Sequence, residues 1–193
     1  TMRRAVMLTA LRTLGYSRYQ RLRSSLPAPV RNAYQQYVHR MPEARVVPRT
    51  ALHVGFNYSE FSGHLVQVAA ELARQDPPWT QTVVVQDPAP ALRTLERLGI
   101  PATVVTPASL GYGDALLTAE VVTTDSTLPR WFIPRPGQRV YNLWHGTPLK
   151  SMGRSIAGAP RAMANTQRNL LLSTSVLLSN QFTSTAIAIS PAS

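Results

Sequence analysis

The residues best suited to chemistry lie in one run, Tyr141-Asn142-Leu143-Trp144-His145-Gly146-Thr147-Pro148-Leu149-Lys150. An apolar strand is expected to end at Trp144. Gly146 allows a sharp turn, with positive φ if the chain needs it. Thr147 is a good helix N-cap, and Pro148 is a favoured first helical residue. His145 is therefore expected at the C-terminal end of a strand, directly before a helix N-terminus. Unpaired N–H groups and the positive end of a helix attract phosphate there. Lys150, the chain's single lysine, falls at the third helical position and adds charge to the same place. Ser151 and Arg154 follow within the next turn. An imidazole, an anion-attracting helix end and cations fit chemistry on phosphate, with His145 taking a proton from a hydroxyl nucleophile. A histidine alone reads as a core or capping residue; the Gly-Thr-Pro context favours the chemical role. Trp144 reads as a core residue ahead of a stacking one. Lys150 and Arg154 read equally as solvated charges.

The elements that must position this run alternate between strand and helix. Ala51 to Phe56 reads as a short strand, and Asn57 to Gly63 as a loop. His64 to Arg74 has helical apolar spacing and is stopped by Asp76-Pro77-Pro78. Thr82 to Gln86 carries the triple valine of a buried strand. Asp87-Pro88 caps a helix through Leu98, closed by Gly99. Ala102 to Val105 is a third strand, and Ser109 to Thr118 a short helix loosened by Gly111 and Gly113. Further strands are expected at Glu120–Thr124, Val140–Trp144 and, more weakly, Val176–Ser179. Pro134 to Gly137 reads as a surface loop. Strands spaced by helices of about ten residues imply an α/β fold, a Rossmann-like parallel sheet covered on both faces. Ligands of such sheets bind beyond the carboxyl ends of the strands.

The chain has 193 residues, enough for one domain with an appendage, and 44% of them are hydrophobic. It has no cysteine, which excludes disulfides, thiolate zinc sites and a cysteine nucleophile. The four histidines, His39, His53, His64 and His145, are scattered, so no metal site and no cofactor are expected. No apolar run approaches the ~20 residues of a membrane span. Net charge is +11, and it is unevenly spread. Residues 1–42 hold eight arginines and no carboxylate. A helix over residues 3–26 would set Met7, Leu8, Leu11, Leu14, Tyr19, Leu22 and Leu26 on one stripe about 140° wide. Arg4 and Arg18 fall inside that stripe, which a membrane surface tolerates by snorkelling. The favoured reading is a basic amphipathic arm, residues 1–42, lying on an anionic membrane surface. A nucleic-acid contact, a transit peptide, or a solvated or domain-packed helix are the alternatives. No segment outside this arm shows the aromatic-basic interleave of RNA binders, and no nucleic acid is expected as partner. Pro42 to Pro48 reads as a linker into the domain, residues 50–193. The opening Thr1-Met2 and the stop soon after an apolar stretch are those expected of a piece of a longer protein.

Trp144-His145-Gly146-Thr147-Pro148-Leu149-Lys150 resembles the signature of the CDP-glycerol glycerophosphotransferases, the polymerases and primases of wall teichoic acid. Val122 to Ser126 is similar to that family's preceding strand and turn. Val176 to Asn180, followed by Phe182 to Thr185, is similar to its next strand and helix start. Three differences stand out. The turn here is Ser179-Asn180-Gln181, without the family's proline. Met152 to Ser155 lacks the acidic residue often found there, and Ala157 to Ala164 is small and rich in Pro and Gly.

The resemblance, over roughly residues 50–190, implies the N-terminal, acceptor-facing half of a glycosyltransferase-B architecture. It implies attack by a lipid-linked polyol phosphate on CDP-glycerol, with CMP leaving, as in teichoic acid biosynthesis for the cell wall. His145 matches the family's general base, and Gly146, Thr147, Lys150 and Arg154 are the expected substrate-binding residues. CDP-glycerol is expected to be held mainly by a second domain outside this sequence, leaving this chain inactive alone. A peripheral place on the cytoplasmic face of the membrane follows. The competing readings are a non-catalytic membrane-surface or nucleotide-binding module, and a nucleotide-sugar glycosyltransferase of the same architecture.

Overall fold

A computed structural model describes residues 37–38, 40–107, 109–144, 146, 164–181 and 183–184. The helix expected over residues 3–26 and the one expected after Gly146 lie outside them, as does most of Ala157–Ala164.

Six strands form one sheet: β1 (Val47–Val54), β2 (Thr80–Val84), β3 (Thr103–Val105), β4 (Ala119–Thr124), β5 (Arg139–Asn142) and β6 (Ser175–Val176). Helices α1 (Gly63–Arg74), α2 (Pro88–Leu98), α3 (Leu110–Thr118) and α4 (Ala164–Leu172) connect or flank them. The order is β3-β2-β1-β4-β5-β6, and every pairing is parallel. That is the order of dinucleotide-binding sheets, with the switch between β1 and β4. The α/β, Rossmann-like expectation holds.

The central strands are apolar on both sides because both sides are covered. Leu52 and Val54 of β1 lie on one face with Val84, Val122 and Val140, packed against Tyr112, Leu116 and Leu117 of α3. Val83 and Val85 lie on the other, packed against Leu65 and Ala69 of α1 and Ala91 and Leu95 of α2. Each fully buried Leu or Val contributes about 1.5–3 kcal/mol, so these central strands dominate over the short outer ones.

Helix ends follow from local chemistry. The Asp87 carboxylate accepts from the Ala89 N–H at 3.1 Å, and Pro88 opens α2. The Ser109 hydroxyl accepts from the Tyr112 N–H at 3.2 Å, starting α3. Gly111 and Gly113 do not break α3, since burial of Tyr112, Leu116 and Leu117 outweighs their poor propensity.

Several residues lie elsewhere than the sequence led us to expect. β1 begins at Val47, inside the expected linker. Its early part carries a bulge: the register shifts between Val47 and Ala51, and Arg49 takes φ 57. Tyr37, expected in the arm, is buried in the core. Its hydroxyl donates to the Ile133 carbonyl at 2.9 Å, and its ring lies 4.9 Å from that of Trp131. Arg40 pairs with Asp114 of α3. Helix α4 was not foreseen. Its only buried residue is Asn169, whose carbonyl oxygen accepts from the Leu128 N–H at 2.7 Å. The β4–β5 connection turns at the surface near Gly137, yet buries Leu128 and Phe132. β5 ends at Asn142 rather than Trp144, and β6 at Val176 rather than Ser179.

Candidate functional site

The chain winds outward in opposite directions from β1 and β4, which leaves a crevice at their carboxyl ends. A cavity of about 650 Å³ opens there. Phe56, Glu60, Ser62, Gly63 and His64 line it from the β1–α1 connection, and Asp125 from the end of β4. Leu143, Trp144 and Gly146 line it after β5, and Leu177, Leu178 and Ser179 after β6.

Each wall is fixed by its own backbone. At the end of β1 the chain folds back so closely that a Cβ on Gly55 would collide with the Glu60 carbonyl oxygen. Only glycine fits that approach. A single 3-10 turn, Phe56–Tyr58, follows, and the Tyr58 carbonyl accepts from the Gln86 N–H at 2.7 Å. The hydroxyls of Tyr58 and Tyr112 meet at 3.2 Å, and burial pushes both phenols above their ordinary pKa. The connection is thus tied to β2 and to α3. It delivers Ser62, Gly63 and His64 to the cavity as the first residues of α1; Ser62 is the N-cap but its side chain makes no capping bond.

β4 and β5 end together. The Leu143 N–H donates to the Thr124 carbonyl at 2.7 Å, and the Ser126 N–H to the Thr124 hydroxyl at 3.0 Å. Asn142 is buried; its side-chain oxygen accepts from the Trp144 N–H at 2.9 Å, and its backbone carbonyl from Leu177 N–H at 2.8 Å. That side-chain bond stops the strand and turns Trp144 to φ 51. The Trp144 indole N–H donates to the Gly146 carbonyl. Gly146 takes φ 148, a value that strains any residue with a side chain. The sharp turn expected at Gly146 is present.

Of the substrate-binding residues expected, Gly146 lies in the cavity wall. His145, Thr147, Lys150 and Arg154 lie outside the described residues. Trp144, expected in the core, is 6% exposed and also faces the cavity. Glu60, His64 and Asp125 also line the cavity, with no site role expected of them from the sequence. His64 follows a strand end and opens a helix, the same logic that singled out His145. Asp125 stood in the strand-and-turn motif without a role.

His53 is no part of the cavity. Its ring is fully buried in the sheet between β2 and β4. The Gln81 side-chain N–H donates to the Ala69 carbonyl at 3.0 Å, which turns the Gln81 oxygen toward His53 Nε2 at 2.9 Å. Nε2 therefore carries the proton, and Nδ1 accepts from the Thr123 hydroxyl at 2.7 Å. Burial pushes this imidazole down to about 4, partly offset by the bond to Gln81. Among the described residues no group of His, Asp or Glu could hold a metal ion. None of the described helices is long and apolar enough to cross a membrane.

Solved structures of the wall teichoic acid polymerase TagF match this chain with a TM-score of 0.70 at 15% identity, over 98% of this chain and 43% of that one. A histidine-to-asparagine variant of TagF soaked with CDPG matches at 0.70 and 16% identity, over 84% and 40%. This chain therefore spans about two-fifths of the TagF chains. Comparison with curated proteins finds no match. A family model described as CDP-Glycerol:Poly(glycerophosphate) glycerophosphotransferase matches residues 34–190. That match takes in all six strands and every cavity-lining residue, and the chain belongs to this glycerophosphotransferase family.

Proposed function

We propose that this chain is the acceptor-side domain of an enzyme that transfers glycerol phosphate from CDP-glycerol to a lipid-linked polyol phosphate, in teichoic-acid-type wall polymer synthesis. The carrying observation is the cavity at the switch point, whose β5 wall is the Trp144-Gly146 turn of the family signature. A terminal acceptor hydroxyl attacks the β-phosphorus of CDP-glycerol. His145 takes the hydroxyl proton, the new phosphodiester bond forms, and CMP leaves with the electrons of the broken P–O bond. Gly146, Thr147, Lys150 and Arg154 bind substrate phosphate beside it. The reading of His145 as base is supported by its two neighbours in sequence, Trp144 and Gly146, both of which line the cavity.

The TagF structures cover more than twice this length, and one was soaked with CDPG. That likeness supports a glycosyltransferase-B arrangement in which a second domain supplies most donor contacts. The six arginines of residues 1–26 and the apolar residues between them support peripheral attachment to the cytoplasmic face of an anionic membrane, where a lipid-linked acceptor is presented.

The test is CMP release by the full-length protein from CDP-glycerol, with and without a polyol-phosphate acceptor. Release that depends on the acceptor supports the reading. Turnover of a nucleotide sugar instead, or of neither donor, contradicts it.

A further inference from the structure

We propose that His64 binds the phosphate of the incoming acceptor, making it a second imidazole of the transfer site and a determinant of acceptor specificity. The inference rests on the transferase reading above and adds a residue to which no role is assigned there.

Among the described residues lining the cavity, His64 is the only one whose side chain can carry positive charge. The others are carboxylates (Glu60, Asp125), hydroxyl groups, glycines and apolar side chains. Carboxylates accept hydrogen bonds from polyol hydroxyls but repel phosphate. A polyol phosphate entering this cavity therefore has one described cationic side chain to pair with its anion, beside the hydroxyls of Ser62 and Ser179. His64 is exposed and stands in the first turn of α1, where the helix end favours negative charge as well.

Placement agrees with that role. β1 and β5 are two strands apart, with β4 between them. At about 4.8 Å per strand, the heads of their connections stand roughly 10 Å apart. Asp125 directly follows β4 and Gly146 stands four residues after β5, while His64 comes ten residues after β1, in the first turn of α1, and lines the same cavity. An acceptor with its terminal hydroxyl at the β5 turn then spans Asp125 with its polyol carbons. Its own phosphate falls on the β1 side, at His64. The carboxylate meets hydroxyls and the imidazole meets the anion.

The experiment uses the full-length protein with CDP-glycerol and two acceptor analogues. One ends in a glycerol phosphate unit; the other presents the same terminal hydroxyl on an uncharged chain. His64→Ala is expected to raise KM for the phosphate-bearing acceptor about tenfold or more, the weight of one charge-assisted bond. Its kcat, its KM for CDP-glycerol and its KM for the uncharged acceptor should stay within about twofold. His64→Lys, which keeps a cation, should restore most of the lost affinity. Equal losses on both acceptors, or a fall in kcat with KM unchanged, would overturn the assignment. Binding of glycerol 3-phosphate to the full-length protein is measured alongside by calorimetry. If no donor turns over, the transferase reading fails while that arm still decides: weaker binding in His64→Ala supports the anion site, and unchanged binding defeats it.

Discussion

The indole N–H of Trp144 donates to the carbonyl oxygen of Gly146, a hydrogen bond that bridges a single intervening residue, His145. The backbone of Trp144 is held from behind as well, by the side chain of buried Asn142. Asn142 in turn anchors β6 through Leu177. The turn that carries the family signature is thus fixed from β5 and from β6, at the edge of the cavity.

Trp144→Phe keeps most of the ring bulk and removes the indole donor. It should cost about 1 kcal/mol and lower Tm by about 2–4 °C. Slight displacement of the turn on which the proposed base stands is expensive, so CMP release should fall by about tenfold or more. Thermal melts and steady-state rates on the same preparation check this. Unchanged turnover would mean that the Trp144–Gly146 bond does not position the site.

The close approach at Gly55 makes a second prediction. A methyl group there meets the Glu60 backbone, so the chain from Gly55 to Ser62 must move. Gly55→Ala should destabilise by about 1–3 kcal/mol, as overpacking does. It should also weaken acceptor binding, because that connection delivers Ser62 and His64 to the cavity. A variant with wild-type Tm and acceptor KM would show that the loop accommodates the added group.

His53 gives a pH dependence. Its folded-state value, about 4, lies below the ordinary 6.5 because burial disfavours the charged ring. The unfolded chain therefore binds the proton more readily. This contribution is fully present above about pH 6.5 and is lost as pH falls toward 4, on the order of 3 kcal/mol in all. Chemical denaturation between pH 7 and pH 4 measures it. His53→Leu should flatten that part of the curve. It should also cost about 1–3 kcal/mol at pH 7, since Gln81 and Thr123 lose their shared partner. A wild-type slope unchanged in His53→Leu would place the acid sensitivity elsewhere.

Much of this was legible in the sequence. The triple valine after Thr82, the Asp87-Pro88 start and the Gly99 stop each state a local preference that the packing also demands. The Gly146 turn was legible for the same reason. What escaped was carried by polar contacts over long sequence separations. Helix α4 buries Asn169 rather than an apolar stripe, so no hydrophobic period announces it. Tyr37 looked like part of a basic arm because its partners, Trp131 and Ile133, lie more than ninety residues away. His64 and Asp125 became site candidates only once the strand order brought three connections to one edge.

The basic segment makes a separate prediction. Deleting residues 1–26 removes six arginines and the apolar stripe between them. Binding of the full-length protein to vesicles containing anionic lipid should fall at least tenfold, and wild-type binding should weaken with added salt. His145→Ala should bind such vesicles normally. Undiminished binding of the deleted form would remove the lipid role from this helix.

The most direct test of the account is CMP release from CDP-glycerol by the full-length protein and its His145→Ala variant, on the same acceptor. Loss of a general base should lower kcat by about 10²–10⁴-fold with Tm unchanged. Turnover by His145→Ala at the wild-type rate would contradict the assignment of that imidazole as the base.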